Sequence, residues 1–200
     1  MSIDAHWFST LYGWYIFSGM FVAALCVIII ITVAFKKFGI LPHVNREHLH
    51  DLGKYLFAFS IFWAYLWLSQ FLLIWYSNIP EGTVYYVTRT KHFNFLFYLN
   101  VSVNFLLPML ALMTRNSKRQ SLYLVAVALV VLLVHYLDLY LAIIPGAVGY
   151  EAASIGFLEI GLPFLYLAVF LTLFFTFFKK AKPVPENHPY IIESTSYENI

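Results

Sequence analysis

Five long apolar runs, separated by short polar connections, set the pattern of the chain. Each run holds about 20 residues or more, the length that an α-helix needs to cross the hydrocarbon core of a bilayer. Lipid offers no partner to an unpaired backbone group, so each run is predicted to form a helix. The predicted spans are Leu11–Phe35, Leu52–Tyr76, Phe93–Met113, Leu122–Ile144 and Ala153–Phe178.

The short connections predict antiparallel neighbours, and hence an all-α membrane protein whose residues 1–178 form one transmembrane helical bundle. The composition agrees, because 62% of the residues are hydrophobic and only 11% are charged. A soluble domain keeps roughly a quarter of its residues charged. The single cysteine, Cys26, excludes a disulfide framework. We therefore expect the chain to be surrounded by membrane lipid, with no nucleic acid as a partner.

The basic residues predict the orientation of the chain. Ten of the twelve Lys and Arg residues lie in the segments 36–54, 114–120 and 179–182, which share one side of the membrane if the five spans are correct. The other side holds only Arg89 and Lys91. Because the cytoplasmic side carries the excess of Lys and Arg, the N-terminus is predicted outside and the tail, residues 179–200, in the cytoplasm. This orientation fits the second half of a longer chain.

Several polar side chains fall inside or beside the apolar runs, where they are costly unless they have a structural or functional purpose. Asp138 lies six residues before the outer end of its span, which is about 9 Å at the rise of an α-helix. Gln70, Asn100 and Glu159 lie six or seven residues from the outer ends of their spans, so the strongly polar groups are predicted to cluster in the outer half of the bilayer. The candidates for a proton path are Asp4, His6, Gln70, Asn100, Asn104, His135, Asp138 and Glu159.

Two prolines fall next to these polar groups. Pro163 has no N–H to donate to the carbonyl of Glu159, and Pro108 likewise frees the carbonyl of Asn104. A freed carbonyl in lipid needs another partner, such as a side chain or water. Two interpretations of the polar set remain open: a half-channel in which His135, Asp138 and Glu159 exchange protons with the outer face, or a static hydrogen-bond network that locks the helices together.

Four stretches resemble one known family. They are DAHWFSTLYGWY at Asp4–Tyr15, the segment His50–Glu81, HYLDLYLAIIP at His135–Pro145, and PYIIES at Pro189–Ser194. Together they resemble the NrfD/PsrC-like membrane subunits of alternative complex III, and they are closer to the ActF than to the ActC subunits. Leu141 departs from the family pattern, which often has Trp at that position.

The resemblance implies a fold. Members of the family have about ten spans in two four-helix bundles with two flanking helices, so this chain corresponds to the C-terminal half: one four-helix bundle plus a flanking helix. It also implies a place in a bacterial inner membrane, in a complex that oxidises menaquinol. The implied partners are an ActC-like paralogue, subunits carrying iron–sulfur clusters and c-type haems, and a terminal oxidase.

Only His135 lies inside a span, whereas a transmembrane b-type haem needs two histidines on facing helices, so no redox cofactor is predicted on this chain, and no metal is predicted either. The resemblance places the quinol site of the family in the ActC subunit. It implies a part in proton conduction for the positions His135, Asp138 and Glu159. No catalytic residue is predicted. Two other functions stay open, a secondary transporter and a purely structural membrane anchor.

Overall fold

Helices make up the regular structure in the part of the chain described by the computed structural model, which covers residues 3–4, 7–149, 156–183 and 189–197. Five helical stretches are long and apolar enough to cross a membrane. They are α1 (Tyr12–Lys37), α2 (Arg46–Ser77), the third span (Asn94–Ala111), α7 (Ser121–Ala147) and α8 (Phe157–Phe178). The third span consists of α4 (Asn94–Val101), a π-helical turn (Ser102–Leu106) and α5 (Leu107–Ala111).

Three shorter helices complete the described chain. They are α3 (Pro80–His92), between the second and third spans, α6 (Arg115–Arg119), before α7, and α9 (Ile191–Thr195), in the tail. The membrane protein with five spans expected from the apolar runs is therefore confirmed as an all-helical structure with five helices able to span. Residues 153–155 of the predicted fifth span lie outside the described residues.

Helices α2 and α7 extend beyond their predicted limits. Helix α2 begins at Arg46 rather than Leu52 because the side chain of Asn45 accepts hydrogen bonds from the backbone N–H groups of Glu47 and His48. Such a cap satisfies donors that a helix start leaves unpaired. Helix α7 continues past the predicted end at residue 144, through Pro145, to Ala147.

Four of the five spans pack into a bundle. Helix α1 contacts α2 and α7, and the third span also contacts both of these helices. The core between them is apolar toward the end of the bundle where α2 and α7 begin, with Cys26, Ile29, Leu56 and Val131 fully buried. We call this end, which carries most of the lysines and arginines, the basic end, and the opposite end the α3 end. The polar side chains described below lie closer to the α3 end.

Helix α8 flanks the bundle. Its described residues include no buried side chain. Near the α3 end, the hydroxyl of Tyr136 on α7 donates to the backbone carbonyl of Glu159. Near the basic end, the ring of Phe35 on α1 lies 4.6 Å from that of Phe178. The carbonyl freed by Pro163 thus receives a side-chain donor, as the sequence led us to expect.

The basic end is closed by polar contacts that the short helix α6 makes with its neighbours. The Lys118 ammonium donates to the carbonyl of Leu112 at 2.9 Å, and the Arg119 guanidinium pairs with Glu47 at 2.6 Å. Burial and the nearby Lys54 lower the pKa of Lys118. Part of the tail docks here as well, since His48 Nε2 lies 3.1 Å from the Ser194 hydroxyl.

Candidate functional site

A chain of hydrogen bonds joins the third span to α7 and α1. Asn100 Nδ2 donates to Asp138 Oδ1 at 2.6 Å, and Asn104 Nδ2 donates to Asn100 Oδ1 at 2.7 Å. His135 Nδ1 lies 2.7 Å from Asn104 Oδ1. The Tyr15 hydroxyl on α1 donates to Asp138 Oδ1. None of these five side chains is more than 6% exposed, so the chain is shielded from both lipid and solvent.

The acceptors around His135 determine which ring nitrogen carries the hydrogen. Asn104 Oδ1 and the carbonyl of Val131, 3.2 Å away, both face His135 Nδ1 and can only accept. His135 Nδ1 must therefore carry the hydrogen, which leaves Nε2 of a neutral imidazole as an acceptor. His135 Nε2 is buried and has no hydrogen-bond partner among the described residues.

The two asparagines prevent this series of hydrogen bonds from conducting protons. A carboxamide donates through its nitrogen and accepts through its oxygen, but it has no titratable proton to pass on. Asn100 and Asn104 therefore connect His135 to Asp138 mechanically without forming a route for protons between them. The chain acts as a clamp that holds the Asp138 carboxyl and fixes the imidazole ring.

Local sequence explains why these side chains converge. His135 and Asp138 are three residues apart on α7 and so share one helix face. Asn100 and Asn104 are four apart, on either side of the start of the π-helical turn. Pro108 cannot donate to the carbonyl of Asn104, and π-helical turns of this kind occur within α-helices, frequently at functional sites. The helix irregularity that Pro108 predicts for the third span is this π-helical turn, and it lies at the polar cluster.

A small cavity lies beside Asp138. The space open to the centres of water molecules is about 20 Å³, which is room for about one water. Gln70, Asn100 and Asp138 line it. Gln70 is 3% exposed, and its Oε1 accepts no hydrogen bond from the described residues. A water in this cavity can donate to Gln70 and exchange a proton with the carboxyl of Asp138.

Arg89 closes the cavity on the side of the α3 end. Its Nε donates to the carbonyl of Leu141 at 2.7 Å, and Nη2 donates to that of Ala142 at 3.1 Å. Its Nη1 donates to the carbonyl of Tyr85 at 2.9 Å, and Nη2 lies 3.2 Å from Asp4 Oδ2. The guanidinium carbon also lies 3.3 Å from the centroid of the Tyr85 ring. Most of its donors are engaged, so Arg89 is held in place.

Pro145 explains why Arg89 is needed. Proline at this position cannot donate to the carbonyl four residues earlier, which is that of Leu141. The Arg89 guanidinium supplies the missing donor and lets α7 continue to Ala147. Sequence reasoning assigned Arg89 to a connection and did not find this role. The available signal was Pro145 near the end of an apolar run, together with an isolated arginine on the side poor in basic residues.

The close approach of the N-terminal segment depends on a glycine. A Cβ added to Gly146 would lie 2.6 Å from Asp4 Oδ1, which is shorter than nonbonded atoms tolerate. The absence of a side chain at Gly146 therefore lets the Asp4 carboxylate reach α7 and pair with Arg89.

An open groove lies on the other side of the Arg89 guanidinium. It measures about 750 Å³, and its lining includes Asp4, Trp7, Glu81, Tyr85 and Arg89. Tyr85 and Arg89 also line the small cavity, so these two side chains separate the groove from Asp138. Burial raises the pKa of the Tyr85 phenol above its usual range, which keeps its hydroxyl protonated.

The structure gathers most of the predicted candidates. His135, Asn104, Asn100 and Asp138 form the hydrogen-bonded chain. Gln70 lines the neighbouring cavity and Asp4 reaches it through Arg89.

Glu159 does not join the cluster. Its Oε2 accepts from the backbone N–H of Gly156 at 2.9 Å and so caps the start of α8. His6 lies outside the described residues. Sequence reasoning did not select Tyr15, which donates to Asp138 from α1.

Comparison with known proteins adds no family. No family model matches the chain, and a search of the curated proteins finds no match. Within the described ranges, no group of three or more His, Cys, Asp and Glu side chains is placed to hold a metal ion. The interpretation of this chain therefore depends on its own residues and geometry.

Proposed function

We propose that the chain is a membrane subunit of a quinol-oxidising respiratory complex of the alternative complex III type, which scaffolds the complex and contributes one protonatable carboxyl. The observation that carries the second part is the position of Asp138, on the wall of a cavity with room for about one water. The four stretches of family-like sequence support the first part. Two of them, at Asp4–Tyr15 and His135–Pro145, supply Asp4, Tyr15, His135 and Asp138 to the site.

The proposed setting follows from the distribution of charge. We place the α3 end at the periplasmic face of a bacterial inner membrane and the basic end at the cytoplasmic face. In this setting Asp138 faces the periplasm across the Arg89–Tyr85 pair. The bundle with flanking α8 would be the C-terminal half of a ten-helix NrfD-like fold.

The proposed partners carry the redox chemistry. They are an ActC-like paralogue, subunits with iron–sulfur clusters and c-type haems, and a terminal oxidase, with menaquinol as the substrate of the complex. The apolar surface of α8, which has no buried residue and is mostly exposed, is compatible with further protein on that side of the bundle. No redox cofactor is assigned to this chain.

In the proposed mechanism, Asp138 is the site of proton exchange. A water in the cavity relays a proton between Asp138 and the groove, past the Tyr85 side chain and the fixed guanidinium of Arg89. Tyr15 and Asn100 orient the carboxyl, while Asn104 and His135 hold Asn100 from the other side. His135 is a positioning residue, because two carboxamide links separate it from Asp138.

A purely structural anchor is the second candidate, and one observation favours it. The links through Asn100 and Asn104 fasten the third span to α7 without conducting protons. A secondary transporter is less well supported, because its binding site is expected between broken helices that meet at the midplane. Pro108 is fully buried in the bundle, whereas Pro163 lies on the flanking helix α8, so the two breaks do not converge.

The variant Asp138→Asn tests the proposal in the intact complex. We expect assembly and electron transfer to be retained while fewer protons are translocated per electron. Glu159→Gln is the matched control, because it removes a carboxylate at a similar predicted depth but outside the cluster, and it should leave the proton ratio unchanged. An unchanged ratio in Asp138→Asn would favour the anchor. Copurification of the chain without any c-haem absorbance would contradict the assignment to this kind of complex.

A further inference from the structure

A groove at the basic end has the chemistry of an anion site. It measures about 930 Å³ and lies between the start of α2, the short helix α6 and the start of α7. Its lining includes Arg46, Arg119, Gln120 and Ser121 on the polar side and Leu122 and Ala126 on the apolar side. No acidic residue is among the described side chains that line it.

Two arginines supply positive charge to this groove. Arg119 is held by its ion pair with Glu47 at 2.6 Å, and its Nε is buried without a hydrogen-bond partner in the described part of the chain. Arg46 is exposed, and the structure shows no hydrogen bond or ion pair between it and the other described residues. A guanidinium presents a planar set of donors that matches the oxygens of a phosphate group.

The start of α7 adds donors to the same groove. Helix α7 is 27 residues long, and its cap residue Gln120 makes no side-chain hydrogen bond to it. The first N–H groups of an α-helix have no partner within the helix, and the helix dipole favours an anion at this end. Ser121 and Leu122, which open the helix, both line the groove.

An apolar track leaves the groove along α7. Leu122, Ala126, Leu129 and Leu133 follow one another at spacings of three or four residues, so they share one face of the helix. All four are exposed, Leu122 at 83% and Leu133 at 67%. The track leads from the polar groove into the part of α7 that is long and apolar enough to lie in hydrocarbon.

We propose that this groove binds the phosphate of an anionic phospholipid, with one acyl chain lying along Leu122, Ala126 and Leu133. A free inorganic phosphate would use the two arginines and the helix start but would leave the apolar track without a role. A zwitterionic lipid carries a compensating cation that the Arg46 guanidinium, unpaired among the described residues, would repel, whereas the charge of Arg119 is already balanced by Glu47. The combination of net positive charge and adjoining apolar surface therefore selects the anionic lipid.

Native mass spectrometry of the full-length chain tests this assignment. The detergent-purified protein is titrated with phosphatidylglycerol, with phosphatidylcholine of the same chain length, or with inorganic phosphate. We expect phosphatidylglycerol to be retained most strongly, and Arg46→Gln to weaken its retention about fivefold, the effect of one basic residue near an anionic headgroup. Lys37→Gln, which removes an exposed cation at the same end but outside the groove, is the matched control.

Three results would overturn the proposal. They are equal retention of the two phospholipids, equal effects of Arg46→Gln and Lys37→Gln, and complete displacement of phosphatidylglycerol by inorganic phosphate at matched concentration. Arg119→Lys provides a second test, because lysine keeps a cation opposite Glu47 but loses the planar donor set. It should also weaken retention, and wild-type retention in this variant would count against the arginine geometry.

Discussion

At the residue scale, the environment of Asp138 is defined by what its neighbours can donate. Tyr15 and Asn100 both donate to Asp138 Oδ1, and the adjacent cavity leaves room for a water. A buried carboxyl with oriented donors on one oxygen and space for water nearby is held in one position while it stays accessible to exchange. Asn100 is also important for stability, because it donates to Asp138 and accepts from Asn104.

Replacement of Asn100 by Leu should destabilise the protein. The variant removes a donor to Asp138 and leaves Asn104 Nδ2 without its acceptor, and a buried unsatisfied polar group costs about 1–3 kcal/mol. Thermal unfolding in detergent measures the loss. Asn94→Leu makes the same change at an exposed position and should have little effect, so equal losses in the two variants would contradict the network described here.

At the element scale, three prolines disturb spanning helices, and a side chain from another helix donates to two of the three freed carbonyls. Pro108 follows the π-helical turn, Pro163 frees a carbonyl that Tyr136 satisfies, and Pro145 frees one that Arg89 satisfies. Tyr136 and Arg89 therefore act on the backbone of other helices. Substitution of Arg89 should therefore destabilise α7, and substitution of Tyr136 should destabilise the start of α8.

A double-mutant cycle tests whether the hydrogen bond from Arg89 replaces the one that α7 loses at Pro145. Arg89→Lys should destabilise the protein, because one ammonium cannot reproduce the planar set of donors. In a Pro145→Ala background the N–H of Ala can serve the carbonyl of Leu141, so the same substitution should cost less, with a coupling of about 0.5–3 kcal/mol. Thermal unfolding of the four proteins measures this coupling, and additive effects would show that Arg89 does not compensate for Pro145.

The glycine in the last turn of α7 offers a second test at this scale. Alanine normally favours a helix over glycine by about 1 kcal/mol. Gly146→Ala should nevertheless destabilise the protein, because the new Cβ would meet the Asp4 carboxylate at 2.6 Å. Gly13→Ala is the control, since a Cβ there meets nothing within 4 Å. A stabilised Gly146→Ala variant in thermal unfolding would contradict the contact with Asp4.

At the scale of the whole molecule, the sequence predicts the number of spans and most of the polar cluster. Long apolar runs determine the spans because bilayer thickness sets their length. The spacing of His135 and Asp138, and of Asn100 and Asn104, predicts a shared face within each helix. Pairing between helices is not local in sequence, which is why Tyr15 and Arg89 were missed and Glu159 was grouped with Asp138.

The extent of each helix also depends on contacts that periodicity does not reveal. Helix α2 begins earlier because of the Asn45 cap, and α7 passes Pro145 because Arg89, 52 residues from Leu141 in sequence, donates to the Leu141 carbonyl. Helix α3 is short and polar between two spans, so the hydropathy pattern alone gave a connection there. The continuation of α7 past Pro145 and the helix α3 decide how the α3 end of the bundle is closed over Asp138.

Infrared spectroscopy of the protein in oriented vesicles tests the central claim, that Asp138 exchanges protons with one side of the membrane. The carboxyl band of Asp138 is identified by its loss in Asp138→Asn, and the pH of each compartment is then changed separately. We expect the band to respond to the pH on the α3 side and to be insensitive to the pH on the basic side. A band that follows the pH of the basic side, or of neither side, would contradict the account.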